Sequence, residues 1–585
     1  MSPALRIGNA QAFWGDRNDA AAELLAREPE LDYLTLDYLA EVSMSILAVQ
    51  RERDSNAGYA RDFVDVVRSL TGYWRSGGTC RLITNAGGLN PTGCAQACKA
   101  VLEDAGCPPL KIAIVTGDDV FPAAKDAAGD PDSPAASGFR HLESGAAIGE
   151  VADRLVTANA YLGAGPIAQA LAEGADIVIT GRVADPSMVV GACVHHFGWN
   201  DDDFARLAGA TVAGHLIECG TQVTGGISTD WLSLSDPARI GFPIVEVAED
   251  GSCVVTKPAG TGGAVNEWTV KEQLLYEIGD PGAYLSPDVT VSFLSLHVEE
   301  TGDDRVRVSG AVGSSPPQTL KVSATFRDGY WSSGTLTIIG SDASAKAHRS
   351  GEIVLQRVRN AGYELRETRI ECFVVADPAG IPTVEQAVLR VGAIADARDA
   401  LERFAKELMP LITAGPPGTT GYSAGRPRVH PLFRYWPCLI DRSAIVPSID
   451  LITTSGPAAT GKPTVPAARA PAPARKFSDD VSAENRSSRT RLADIAIARS
   501  GDKGTSANVG VIARQSNDYD FLKDWLTPER VEDYFRPLGV ESVSRYEVPN
   551  LAALNFILHG ILNTPLKTDA QGKGLGQILL QMPLQ

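Results

Sequence analysis

The chain has 585 residues, more than a single hydrophobic core usually organises, so two or more domains are expected. Its 53 Lys and Arg against 71 Asp and Glu give a formal net charge of −18, which disfavours binding to nucleic acid or to an anionic membrane surface. The sequence has no apolar run of bilayer length, no secretory signal pattern and no CxxC pair among its nine cysteines. These features predict a cytoplasmic protein with reduced thiols and no metal site.

The first two hundred residues alternate short β-branched runs with helical patterns. Helical stretches such as "NDAAAELLAREP" and "GCAQACKAVLEDAG" separate the strand-like runs. In chain order, the predicted strands are 5–10, 31–38, 80–88, 111–119 and 175–182. This alternation predicts βαβ units and an α/β core built on a mostly parallel sheet.

The rest of the chain predicts three further parts. From about residue 285 the pattern is rich in strands, interrupted by a predicted helix over 384–409, which indicates an α+β subdomain within an N-terminal region 1–452. Residues 453–489 are rich in Pro, Ala and Ser and lose apolar periodicity, as in a flexible linker. Residues 490–585 carry two helices among short strands, which predicts a small ferredoxin-like α+β domain.

Polar residues follow several predicted strands at their carboxyl ends, where open parallel sheets bind ligands. Acid–base chemistry is expected from Asp118 and Asp185. Substrate or oxyanion contacts are expected from four further residues: Asn85, Gly87 and Gly88 through their amides, and Arg182. The alternative is that these residues only form βα turns and cap helices.

"TVAGHLIECG" places His215 and Glu218 three residues apart, so a helix would present both on one face. The pair is a candidate for acid–base catalysis; with no further His partner it is a weak metal signal. A second segment, "KPAGTGGAVNEW", has a Gly-rich turn before a helix. Lys257 and Gly262 are therefore candidate contacts for an anionic group, and an ordinary helix cap is the alternative.

"ARSGDKGTSANVGVIAR" (498–514) has two apolar runs around a charged, glycine-rich turn. Lys503 is a catalytic candidate, and Arg499, Asp502 and Asn508 are candidate substrate contacts. The donors in this set suit a carboxylate, a phosphate or a thioester oxygen. A salt-bridged turn without a ligand is the alternative.

"GAGPIA" (163–168) fits the GxGxxA pattern of dinucleotide-binding loops. The following predicted strand ends at Arg182 rather than at an acid that would hold a ribose. An NADP-dependent oxidoreductase, with Arg182 on the 2′-phosphate, therefore stays open as an alternative.

The chain resembles the acyclic terpene utilisation family AtuA, with a fused ferredoxin-fold domain. The motifs that carry the resemblance are "FWGDR", "LDYLTLDYLAE", "ITNAGGLNP", "ADIVITGRVADPS", "HFGW", "GATVAGHLIECGTQVTGG", "TVKEQLLYEI" and, in the tail, "RSGDKGTSANVGVIAR". They occur in the same order over about residues 5–445 and 490–583.

The resemblance implies a role in the breakdown of acyclic terpenoids or branched acids, where intermediates travel as CoA thioesters. A hydratase or lyase acting by addition–elimination, without a bound cofactor and as a homo-oligomer, is the most economical expectation. A non-catalytic subunit that assembles with an acyl-CoA carboxylase or another pathway enzyme is the second alternative.

Overall fold

A computed structural model describes residues 3–129, 138–376, 384–457 and 490–584. Strands β1–β23 and helices α1–α15 are numbered here in chain order within these ranges. The helices are α1 Ala20–Arg27, α2 Glu41–Arg53, α3 Asp62–Arg75, α4 Pro91–Asp104, α5 Phe121–Gly129, α6 Gly165–Ala172, α7 Ser187–Phe197, α8 Phe204–Ile217, α9 Glu267–Leu274, α10 Ala343–Asn360, α11 Arg398–Leu408, α12 Leu411–Ala414, α13 Ser516–Trp525, α14 Pro528–Phe535 and α15 Leu575–Leu579. None of these described helices has the length and apolar character needed to cross a membrane.

The largest sheet of the described chain has ten strands. Its centre is parallel, in the order β1-β2-β3-β6-β4, with β1 Leu5–Asn9, β2 Tyr33–Leu36, β3 Arg81–Thr84, β6 Ile177–Thr180 and β4 Lys111–Thr116. Antiparallel strands extend both edges: β7 Ile244–Val247, β8 Cys253–Thr256, β12 Arg305–Ser309 and β11 His297–Gly302 beyond β1, and β19 Ser448–Thr453 beyond β4. The five strands predicted in the first two hundred residues are confirmed.

The order of the parallel strands creates a switch point between β3 and β6. After β3 the chain passes over the place of β6 to reach β4, and later returns to β6. The helix that follows β3, α4, packs on one face of the sheet with α1 and α3, whereas α7, which follows β6, packs on the opposite face with α6 and α8. In open α/β sheets such a point leaves a crevice at the carboxyl ends of the strands.

A second sheet covers this carboxyl edge. It is built on β14 Thr319–Ile339, which pairs with β16 Glu385–Ala395, β17 Thr419–Thr420, β18 His430–Asp441 and β5 Leu155–Ala160, while β15 Glu367–Ala376 pairs with β16. A small sheet joins β9 Tyr284–Leu285, β10 Thr290–Ser292 and β13 Val312–Ser314.

Three expectations about this region need correction or refinement. The helix predicted over 384–409 is wrong in its first half, because residues 385–395 form β16 between β14 and β15 and only Arg398–Leu408 is helical. Strands β11 and β12 lie in the first sheet, although they fall after residue 285. Residue 453 still belongs to β19, and residues 458–489, most of the predicted linker, lie outside the described residues.

The C-terminal domain is a four-stranded antiparallel sheet in the order β20-β21-β23-β22, with β20 Ala496–Lys503, β21 Ser506–Ala513, β23 Ala553–His559 and β22 Ser542–Val548. Both faces of this sheet are covered. Val509 and Val511 pack with α13 and α14, whereas Ile497 and Ile512 pack into the core of the large domain with Leu275. The domain is therefore docked on the segment that follows α9, and the predicted ferredoxin-like fold is confirmed.

Candidate functional site

The switch point is lined by a fixed pair, Asn85 after β3 and Asp37 after β2. Asn85 Oδ1 accepts a hydrogen bond from the Tyr38 amide at 2.7 Å, and its Nδ2 donates to Asp37 Oδ1 at 2.7 Å. Because the Tyr38 amide can only donate, it fixes which end of the Asn85 amide faces Asp37. Asn85 is fully buried, and its predicted role as a direct substrate contact stays a prediction.

Arg182, after β6, lies on the other side of the same crevice. Its Nη1 donates to the Leu39 carbonyl and to Asp185 Oδ1, both at 2.8 Å, and its guanidinium stacks on the Tyr161 ring at 4.1 Å. The side chain is 3 % exposed, and its Nε has no hydrogen-bond partner among the described residues. Arg182 is thus a buried cation with a donor to spare.

Asp118, after β4, supports the turn that carries Arg182. Its Oδ2 accepts hydrogen bonds from the Arg182 amide and from Asn159 Nδ2, both at 2.8 Å. Burial raises the pKa of this carboxyl to about 6, although both hydrogen bonds oppose the shift. These contacts make Asp118 a positioning residue for the β6 turn, and its predicted catalytic role is not required to explain them.

His215 and Glu218 meet at the end of α8, as their spacing predicts. Glu218 Oε1 lies 3.2 Å from His215 Nδ1, and His215 Nε2 lies 3.0 Å from the Gln273 carbonyl. A carbonyl oxygen only accepts, so Nε2 carries a hydrogen, and a hydrogen bond between Nδ1 and Oε1 requires a proton on one of those two atoms. The rings of Tyr284 and Phe293 enclose the imidazole at 5.6 and 5.7 Å.

These groups form one electrostatic neighbourhood. The pKa of Asp37 is raised well above its ordinary value, first by burial and then by the negative charge of Asp185, while Arg182 opposes the rise and Glu218 adds to it. Asn9 lies at the end of β1, and its side-chain Nδ2 donates to the Glu218 backbone carbonyl at 3.2 Å. This bond holds the end of α8 at the same sheet edge. The structure thus brings together Asn85, Arg182, Asp185, His215 and Glu218 from the predicted set.

The second sheet supplies residues that sequence reasoning missed. Lys321 of β14 lies over the rings of Tyr161 and Tyr435, at 5.1 and 5.5 Å from their centres. Burial raises the pKa of Tyr284 well above its ordinary value, the charge of Glu218 adds to the rise, and Lys321 opposes it. Asp37 had a visible signal, since it lies at the carboxyl end of the predicted strand 31–38, but nothing in the sequence links Lys321 to that strand.

The tip of the β20–β21 hairpin also approaches this neighbourhood. Thr505 donates to Glu143 at 2.6 Å, and Gly504 lies beside Glu143 and Tyr435. On the other side, Asp502 acts on the buried hydroxyl of Tyr276. The backbone of Lys503 pairs with Ser506 across the turn, and its side chain lies outside the described residues.

Two other hairpin candidates form the contact between domains. Asn508 is fully buried, donates to the Leu275 carbonyl at 2.6 Å and accepts from the Glu277 amide at 2.8 Å. Arg499 donates to the Ile227 carbonyl at 2.8 Å and to Gln222, and stacks on Tyr276 at 4.6 Å. The structure accounts for both side chains by domain docking rather than by contact with a substrate.

The anion site expected near Lys257 and Gly262 is filled by the chain itself. Lys257 Nζ pairs with Asp304 at 2.8 Å and donates to the Thr261 carbonyl at 3.0 Å. The first amides of α9 are capped by the Asn266 side chain and by Glu300. Gly262 packs against the Asp236 carbonyl. These contacts are those of the helix-cap alternative, and an anion contact at Lys257 and Gly262 stays a prediction.

The predicted glycine turn after β3 is closely packed. A Cβ at Gly87 would lie 2.5 Å from the Thr180 carbonyl oxygen, and one at Gly88 2.4 Å from Leu47. The Gly88 amide already donates to the Asn85 carbonyl at 3.2 Å. Gly87 allows β3 and β6 to approach each other at the switch point, and Gly88 allows close packing on α2. Their role as oxyanion donors stays a prediction.

The "GAGPIA" loop does not follow a strand of the parallel sheet, because β5 belongs to the second sheet. Asp288 occupies the start of α6, where it accepts from the Ala164 amide at 2.7 Å and from Ser187 at 2.5 Å. A pyrophosphate placed there would meet a buried carboxylate. The loop therefore gives no support to the NADP alternative. Within the described ranges, no group of three or more His, Cys, Asp or Glu side chains is arranged to hold a metal ion.

Comparison with known proteins agrees with the domain structure. Residues 5–451 match the acyclic terpene utilisation family protein AtuA, and residues 490–585 match the AtuA ferredoxin-like domain. No curated protein and no solved structure matches the chain. The chain therefore belongs to the acyclic terpene utilisation family AtuA and carries the family's ferredoxin-like domain fused at its C-terminal end.

Proposed function

We propose that this protein is an enzyme of acyclic terpenoid or branched-acid catabolism that adds water to an unsaturated acyl substrate, carried as a CoA thioester, or removes it. The observation that carries the proposal is the His215–Glu218 pair in the same crevice as Arg182 and Asp37. Addition–elimination needs a group that transfers protons and hydrogen-bond donors that stabilise the oxyanion. The His215–Glu218 pair supplies the first, and the neighbouring side chains supply the second.

Glu218 is the member of the pair that reaches the crevice. Its side chain is 12 % exposed, against 2 % for His215, both nitrogens of which are engaged. Glu218 accordingly acts as the base that takes a proton from water, and His215 is the positioning residue that holds it. The water oxygen bonds to the β-carbon, the double-bond electrons move onto the thioester oxygen, and the α-carbon then takes a proton; elimination reverses these steps.

The test uses 3-methylbut-2-enoyl-CoA, a small branched enoyl thioester, in ¹⁸O-labelled water. The wild-type protein should consume the conjugated thioester and place one labelled oxygen in the product. Glu218→Gln should lower the rate by about 100-fold or more. His348→Gln is a matched control, because His348 makes a similar but exposed contact with Glu352 at 3.5 Å. Labelled product at an unchanged rate in Glu218→Gln would exclude Glu218 as the base.

A second candidate is a non-catalytic subunit that assembles with an acyl-CoA carboxylase or another pathway enzyme. It is supported by β15, an edge strand whose end exposes Phe373, Val374 and Val375 on both faces. Replacing Val374 with Lys should then abolish co-purification of a partner or dissociate a homo-oligomer, as measured by light scattering. An unchanged mass and an unchanged set of partners would remove this support.

A further inference from the structure

The hydrogen bonds of Asp37 define the state of each of its two carboxyl oxygens. Its Oδ1 accepts from Asn85 Nδ2 at 2.7 Å and from the Leu39 amide at 3.1 Å. Both donors are fixed: one is a backbone amide, and the other is an amide group held in place by Tyr38. Any proton on Asp37 must therefore reside on Oδ2, to which no described residue donates.

The surroundings of Asp37 favour that proton. The side chain is 5 % exposed, so its charged form loses solvation. The negative charges of Asp185 and Glu218 also favour the neutral form, whereas Arg182 and the Asn85 hydrogen bond favour the charged form. Arg182 divides its charge between Asp37 and Asp185, with which it pairs at 2.8 Å. The pKa of Asp37 is accordingly raised well above its ordinary value.

We infer that Asp37 is a neutral carboxylic acid whose Oδ2–H donates a hydrogen bond to the substrate's carbonyl oxygen. This inference rests on the proposed function for its substrate. The donor would stabilise the negative charge that the thioester oxygen gains when water adds, with the buried guanidinium of Arg182 as a nearby positive charge. A carboxyl that stays neutral can donate where a carboxylate would repel that charge.

The first test needs no substrate. Infrared spectra of the wild-type protein and of Asp37→Asn at pH 7 should differ by the carbonyl band of one protonated carboxylic acid. Asp119→Asn is the matched control, because Asp119 follows the same sheet edge but is exposed, and it should leave that band in place. Asp118 contributes little at this pH because its pKa is about 6. If Asp37→Asn removes no protonated-acid band, Asp37 is ionised and the inference is overturned.

The second test uses turnover of 3-methylbut-2-enoyl-CoA. Asp37→Asn keeps an N–H donor in place of Oδ2–H and should stay within about 10-fold of wild type, whereas Asp37→Ala should lose about 100-fold. Wild-type turnover should fall at alkaline pH as Asp37 ionises, and Asp37→Asn should lack that decline. Equal loss in both variants, or no loss in either, would overturn the role of Asp37 as a donor.

The two tests separate the inference from the proposed function. A wild-type protein that does not convert the thioester sinks the proposed reaction. The infrared comparison still decides whether Asp37 is a neutral acid, since it reports the proton directly. A protonated-acid band that Asp37→Asn removes supports a neutral Asp37, and the lack of such a band shows that Asp37 is ionised. Neither result depends on which reaction the protein catalyses.

Discussion

The side chain of Asn508 accepts a hydrogen bond from the backbone amide of Glu277 at 2.8 Å, across the boundary between the two domains. The same side chain donates to the Leu275 carbonyl and to Asn555. Asn555 in turn donates to the carbonyls of Ile278 and Gly279. Asn508 and Asn555 thus hydrogen-bond the backbone of the turn 275–279, and these bonds fix the β20–β21 hairpin against the large domain.

Asn508→Leu should weaken this docking. The leucine leaves the Glu277 amide and the Leu275 carbonyl unpaired in a buried interface, at a cost of about 1–3 kcal/mol for each group. The midpoint of urea unfolding of the C-terminal domain should fall accordingly. Asn360→Leu, at an exposed position of α10, is the control and should change little. Equal midpoints in the two variants would show that the Asn508 contacts do not hold the domains together.

Gly510 tests the same interface through shape. A Cβ at this position would lie 2.6 Å from the Leu275 Cβ, so Gly510→Val should push the domain away and make the boundary sensitive to protease. Gly72→Ala is the control, because nothing lies within 4 Å of a Cβ there and the helix should gain about 0.5–1 kcal/mol. Protease resistance equal to wild type in Gly510→Val would contradict the observed docking.

The sequence predicts the parts of this molecule that depend on local pattern. The strands that end at Asn85, Asp118 and Arg182 are β-branched runs between helical stretches, and their polar ends follow from the fold class. The sequence does not predict β16. Its apolar run has the pattern of a helix, and it forms a strand because it pairs with β14 on one side and β15 on the other. The reason is that pairing between distant segments overrides a local period.

The function of polar residues in the hairpin was not predictable for a related reason. Arg499 and Asn508 carry hydrogen-bond donors that could bind a substrate oxygen. They donate instead to backbone carbonyls of the large domain, and a sequence cannot distinguish these acceptors from those of a substrate. Lys257 is a similar case, because its partner Asp304 comes from a separate turn that the sequence pattern does not connect to it. Only the packed structure distinguishes a partner within the chain from one outside it.

Asp118 gives a pH dependence of stability with a defined sign. Its pKa is about 6 when folded and 3.8 in its ordinary state, so the folded protein holds this proton more tightly than the unfolded chain. Stability from this group is greatest below about pH 3.8 and declines until about pH 6, by about 3 kcal/mol at 1.36 kcal/mol per unit. Asp118→Asn should remove the decline, measured as the difference between the two proteins in urea at pH 4 and pH 7. A difference that grows more favourable to wild type with rising pH would show that hydrogen bonding outweighs burial.

Arg182→Lys keeps the charge but loses the planar group that stacks on Tyr161 and bonds to both Leu39 and Asp185. Turnover of the enoyl thioester should fall by about 100-fold, with the far-ultraviolet circular dichroism unchanged. The matched control is Arg327→Lys, at an exposed pair with Glu52, which should keep full activity. Full activity in Arg182→Lys would show that this position requires a positive charge but not a guanidinium group.

Lys503→Ala tests whether the hairpin tip works in the reaction or only joins two strands. The neighbours of Lys503 along the chain lie close to the large domain: the charge of Asp502 raises the pKa of Tyr276, and Gly504 lies beside Glu143 and Tyr435. We expect Lys503→Ala to abolish turnover of the enoyl thioester while the urea midpoint stays near that of wild type, because the substitution keeps the backbone pairing of residue 503 with Ser506. Lys523→Ala, which breaks an exposed pair with Glu547 at 3.1 Å in the same domain, controls for loss of a surface charge and should remain active. If Lys503→Ala turns over the thioester as fast as Lys523→Ala, the tip is a connection between strands, and the C-terminal domain contributes to the site through Asn508 and the packing of β20 and β21.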